Sequence, residues 1–197
     1  MINTLPRLSD QLEKAKLELE QFYSKYLHLK LDLYDNFLPV QQSKNKSLGK
    51  FEFIPHSVSE DYFIGIYEEI YGKDSVLYDY YCKGTLFKSI KEAQERPSGS
   101  YLISHFGNPL PDVLNKSATD VKEGFVLMTP KEGIVSALRL RVNEGCILDP
   151  SGSTHFFAKD IFGNLMRMSG YNGYFSIRAC DECNKHESSG WRKVQIH

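Results

Sequence analysis

A chain of 197 residues and 22.6 kDa is long enough for one domain, or one domain with an appendage. At that length roughly 70% of the unfolded surface can be buried, so neither a disulfide framework nor a metal is required for folding. Hydrophobic residues at 41%, charged residues at 25% and a mean hydropathy of -0.39 exclude a disordered chain, and a net charge of -1 gives no field to hold a polyanion or an anionic bilayer, so neither nucleic acid nor a membrane is the expected partner.

The opening MINTLPRLSDQLEKAK is charged within ten residues and lacks the apolar run of a secretory signal, and no 18-residue apolar window occurs. A cytoplasmic location is expected, with export by a route that needs no cleaved signal as the alternative. Cys82, Cys146, Cys180 and Cys183 are too few for a disulfide scaffold and are read as reduced thiols.

From Leu8 to about Lys25, apolar residues at Leu8, Leu12, Ala15, Leu19, Phe22, Tyr23 and Tyr26 follow the recurrence of one helical face. The period then changes to two over Leu27, Leu29, Leu31 and Leu33, a strand or a continuing helix. Residues 1–38 form an N-terminal helical segment, the polar stretch 39–50 a linker, and residues 51–197 an α+β domain. Phe51 and Phe53 alternate as a short strand. Ser57-Val-Ser-Glu60 is a capping box that opens a helix whose face carries Phe63, Ile66, Tyr67 and Ile70 and which Gly72 ends in a left-handed conformation. Asp74 caps a second short helix ending near Gly84, and Thr85 a third running to about Glu95.

Beyond Pro97-Ser-Gly, turn residues at short intervals divide strands at Tyr101 to Phe106, Gly124 to Thr129, Ile134 to Val142, Cys146 to Leu148, Thr154 to Ala158, Leu165 to Met168 and Tyr174 to Ala179. The fold class is α+β, N-terminal helices followed by a mostly antiparallel β-sheet, and without crossover helices a doubly wound sheet is excluded. Arg139, Arg141, Arg167 and Arg178 fall on alternating strand positions, a solvated sheet face.

Two chemical patterns stand out. Cys180 and Cys183 are spaced to hold one tetrahedral ion, with His186 as a third ligand and Cys146 or His197 as distant donors, which would make a structural zinc site; a plain loop with two thiols is the simpler reading. Cys82, His105 and Asp149 supply in chain order a thiol, a base and a carboxylate, the set a papain-like cysteine hydrolase or secreted effector needs. The strand before the Asp149-Pro150 turn, where such an enzyme carries its histidine, has none, and Cys82 reads more simply as a small core residue. His155 is an alternative base but lies beside Phe156 and Phe157, where a histidine packs. No phosphate loop or HExxH occurs.

Two segments resemble the SUKH superfamily. One is Pro55-His-Ser-Val-Ser-Glu60 with Ile64, Tyr67, Glu68, Ile70, Gly72, Val76, Leu77, Tyr80 and Gly84, similar to that group's capped helix, second short helix and Gly turn. The other is Phe156-Phe-Ala-Lys-Asp160-Ile-Phe-Gly163-Asn164-Leu165, similar to its strand-turn-strand signature. The resemblance implies a non-enzymatic module that binds another protein, in its most specific form an immunity-type protein that neutralises its partner. Twelve Tyr, twelve Phe and one Trp in a near-neutral chain are compatible with such contacts.

Overall fold

The computed structural model describes residues 8–31, 50–78, 91–92, 95–105, 111–116, 126–159, 164–171, 174–180 and 187–196. Helix α1 (Leu8–Leu27) buries Leu19, Phe22, Tyr23 and Leu27, the face that the helical period marks, and residues 28–31 after it are irregular, neither strand nor helix. Strand β1 (Lys50–Ile54) pairs antiparallel with β4 (Tyr101–His105), and β10 (Gln195–Ile196) completes a three-stranded sheet in the order β1-β4-β10.

The larger, seven-stranded sheet runs β2 (Val76–Tyr78), β8 (Tyr174–Cys180), β7 (Leu165–Tyr171), β6 (Ser153–Lys159), β9 (Ser189–Trp191), β5 (Val113–Leu114), with β3 (Lys91–Glu92) also on β6. The β6, β7 and β8 meander is antiparallel, as its short turns require. Its flanks are parallel, β2 on β8 and β6 on β9, because those partners are distant in the chain. The α+β class therefore holds, with a mixed sheet.

Three corrections concern the helices. The segment expected as a strand from Ile134 to Val142 is helix α3 (Pro130–Glu144). Thr129 accepts from the Glu132 amide while the Glu132 carboxylate returns to the Thr129 amide, Pro130 fills the first turn, and Gly145 closes the helix at φ 67. Local capping thus overrides the β-branched content of Ile134 and Val135. Arg139 and Arg141 consequently lie on a helix, apart from Arg167 and Arg178 on β7 and β8. The short helix expected after Asp74 is instead strand β2, at least to Tyr78, and strand β3 occupies Lys91 and Glu92 within the third expected helix. Both are drawn into the sheet by pairing with β8 and β6, a long-range gain that local propensity does not register. Gly124 to Thr129 and Cys146 to Leu148 form no strand where described; Leu127 makes one isolated bridge to Lys193.

Helix α2 (Glu60–Tyr71) begins two residues later than the box suggests: the cap is Ser59, whose hydroxyl accepts from Tyr62 N, and Gly72 ends it at φ 99 and ψ 153, positive in φ but outside the left-handed helical region expected. Helices α1 and α3 both pack on β1, α3 also reaches α2 and β7, and the joint core runs from Leu19 and Phe22 through Ile103, Val135 and Leu138 to Phe156 and Met168. Gly133 gives α3 its close approach, since a Cβ there would lie 2.7 Å from Phe156 Cζ. Edge strand β1 is capped by helix side chains: Arg139 donates to the Phe51 carbonyl and Tyr23 to that of Phe53, while Lys131 reaches Pro55 O at 2.6 Å.

Candidate functional site

The face that α3 turns to β1 and β4 carries Ser136 and Arg139, one helical turn apart. In the β1–β4 register Glu52 stands opposite Ile103 and His105 opposite Lys50, so Glu52 and His105 are diagonal neighbours on one sheet face. These four polar side chains converge. Arg139 Nη1 donates to Glu52 Oε2 at 2.6 Å, His105 Nε2 lies 3.6 Å from Glu52 Oε1, and the same Nε2 lies 3.2 Å from Ser136 Oγ. All four are buried. Charge is tolerable there because carboxylate and guanidinium are in direct contact and the histidine shares the carboxylate. Tyr23, also beside Glu52 and Arg139, has its hydroxyl pushed well above the ordinary tyrosine range by burial, with the Glu52 charge adding and Arg139 opposing.

The cluster floors a cleft of about 610 Å³ between α1, β1, β4 and α3. Its walls include Ala15, Phe51, Leu140 and Leu148. At its mouth Lys14 pairs with Glu18 at 3.8 Å and Lys50 contacts Glu144, both pairs solvated. The volume suits a small ligand or a few side chains of a larger one.

Of the catalytic and metal-binding candidates singled out in the sequence, the cleft holds one. Of the proposed thiol, base and carboxylate set, Cys82 lies outside the described residues, His105 sits in the cleft floor, and Asp149 belongs to a different cluster. Asp149 Oδ1 pairs with Arg192 Nη2 at 2.5 Å, its Oδ2 accepts from Thr154 at 2.6 Å, and Arg192 Nε reaches Thr154 Oγ1 at 3.1 Å. Burial pushes the Asp149 carboxyl up, while Arg192 and the Thr154 hydroxyl oppose the shift. This buried triangle ties the turn after Asp149, whose φ is 52, to the end of β9. His155 packs edge-on against Trp191 with centroids 5.4 Å apart, and burial followed by the Arg167 charge lowers its pKa to about 4. It is a neutral core histidine.

Cys180 is buried at the end of β8; Cys183, His186 and His197 lie outside the described residues. Among the described residues no three possible ligands gather around a common point. Cys146 is exposed, beyond the end of α3. Of the two SUKH-like segments, the first contains the capped helix α2 followed by strand β2 in place of a second helix, and the second spans the β6–β7 hairpin, whose residues 160–163 lie outside the described set.

No family model, curated protein or solved structure matches the chain. Among the described residues, no helix is long and apolar enough to cross a membrane.

The sequence does not single out Glu52 or Ser136, and Arg139, expected on a solvated sheet face, is instead a buried residue of α3. The signals for them were the carboxylate between two phenylalanines in Phe51-Glu52-Phe53, and the Thr129-Pro130-Lys131-Glu132 cap that would have put Ser136 and Arg139 on one helical face.

Proposed function

We propose that the chain is a non-enzymatic protein-binding module whose contact surface is centred on the cleft between α1, β1, β4 and α3, and that in its most specific form it neutralises its partner, as an immunity-type protein does. The observation that carries this reading is the construction of the cleft: a buried floor of matched charges under a mouth ringed by solvated ion pairs. Such a surface offers complementary charge for orientation and apolar walls for contact area. The floor is poorly arranged for nucleophilic catalysis. A hydroxyl–imidazole–carboxylate relay uses one ring nitrogen for the hydroxyl and the other for the carboxylate, whereas Ser136 and Glu52 both face Nε2 of His105. The resemblance to the SUKH group implies the same kind of function.

The test is capture from a lysate by the wild-type chain beside Asn143→Trp, which places a large side chain at the exposed wall of the cleft without touching the buried pair. The reading expects one protein held stoichiometrically by the wild type and lost from a variant of equal thermal stability. Equal recovery by both, or none by either, refutes it.

A further inference from the structure

The guanidinium of Arg139 is only partly used by the protein. Its Nη1 serves both acceptors, Phe51 O and Glu52 Oε2. Its Nε is buried with no hydrogen-bond partner, and neither of the two bonds the guanidinium makes uses Nη2. The free pair, Nε with Nη2, is one planar edge of the fork, the spacing of which matches the two oxygens of a carboxylate. The side chain is 8% exposed, Phe22 lies across the guanidinium with its ring centroid 5.7 Å from Cζ, and the residue lines the cleft. An aromatic on the face and a fixed bond at Nη1 leave the group little freedom to turn away.

A buried donor left unpaired is costly, and in native proteins such a group asks for an explanation. We infer that the free edge of Arg139 is a seat for a carboxylate entering through the cleft, delivered by an acidic side chain of the protein partner. The inference rests on the partner reading above for the carrier of the carboxylate, and on the cleft alone for its chemistry.

Charge in the cleft is compatible. Arg139 and Glu52 offset each other at the floor, and an incoming carboxylate finds its remaining compensation at the mouth. Lys14, with 78% of its side chain exposed, is held to Glu18 only at 3.8 Å, and the Lys50–Glu144 pair is also open to solvent, so both ammonium groups can swing toward a new anion at small cost. The walls formed by Phe51, Leu140 and Leu148 suit the methylene stem of a glutamate rather than a bare ion.

The test uses butyrate as a stand-in for the glutamate side chain, with butylamine and sodium chloride as controls. The full chain is labelled with nitrogen-15, and the Nε–Hε resonance of Arg139 is assigned by its loss in Arg139→Lys, or by elimination among the other arginine variants if that one fails to fold. Butyrate is expected to move this resonance along a saturating curve, while butylamine and chloride at tenfold higher concentration do not. In Asn143→Trp the half-saturating butyrate concentration should rise at least tenfold. No saturable movement with butyrate, equal movement with the controls, or unchanged binding in Asn143→Trp overturns the inference. The two proposals fail separately: an Arg139 that responds to butyrate in a chain that captures nothing refutes only the partner, and capture lost in Asn143→Trp with Arg139 silent to butyrate refutes only the carboxylate seat.

Discussion

Replacing Glu132 by alanine should be among the most damaging single changes in α3. The Glu132 side chain is fully buried and its carboxylate accepts from four donors: Arg96 Nε at 2.7 Å, Arg96 Nη2 at 3.2 Å, Tyr101 OH at 2.9 Å and Thr129 N at 2.7 Å. Arg96 would keep its bonds to Leu127 O and Glu95 O but lose the carboxylate it pairs with at 7% side-chain exposure. Breaking one partner of a buried ion pair costs about 3–5 kcal/mol. For a chain of this size each kcal/mol lowers Tm by roughly 2–4 °C, so a fall on the order of 10 °C is expected. Glu132→Gln preserves shape and one acceptor and should lose about half as much, since the ion pair with Arg96 is again broken but fewer donors are orphaned. Urea unfolding followed through the single, buried Trp191 provides the assay. In a double-mutant cycle with Arg96→Met the coupling should exceed about 1 kcal/mol, because the two groups touch. A Glu132→Ala cost below about 1 kcal/mol, or additivity with Arg96→Met, would refute the reasoning.

Glycines should divide sharply. Gly65 is exposed within α2 with open space where a Cβ would go, so Gly65→Ala should raise stability by about 0.5–1 kcal/mol in the same urea assay; at Gly190 a Cβ would stand 2.0 Å from Val113 O, and Gly190→Ala should break the β5–β9 pairing and give poorly folded protein by circular dichroism. Because the folded-state pKa of His155 is lowered to about 4, the unfolded chain takes up its proton first on acidification: the contribution of this residue is whole above about pH 6.5 and is lost as pH falls toward 4, with a slope approaching about 1.4 kcal/mol per pH unit. Urea midpoints measured across that range should show the slope in the wild type and lose it in His155→Phe; an unchanged slope counts against a neutral buried imidazole. Tyr23→Phe removes the donor to Phe53 O while leaving the ring packed at right angles to Phe53, and should cost about 1–3 kcal/mol by urea unfolding.

What was legible in the chain was what local physics decides. The apolar period of α1, the alternation in β1, and the strands of the β6–β7–β8 meander all stand where the pattern puts them. Helix α3 stands where a strand is expected because the complete cap at Thr129 and Glu132 outweighs the strand propensity of Ile134, Val135 and Val142. The parallel placement of β2 was illegible in principle, since its partner β8 lies about a hundred residues on and pairing between distant segments leaves no local trace. The cleft was hidden for the same reason. Glu52, His105 and Arg139 come from three elements, and alternation alone would have sent Glu52 to solvent, as it does in a strand with one wet face; the guanidinium from α3 reverses that.

The capping of β1 bears on how this molecule can associate. An exposed strand edge invites a further strand, from a copy of the same chain or from another. Here the acceptors such a strand would need at Phe51 and Phe53 are already engaged by Arg139 and Tyr23, from two different helices. Growth of the small sheet on that side would have to displace both side chains, which favours meeting a companion through side chains over templating a further strand there.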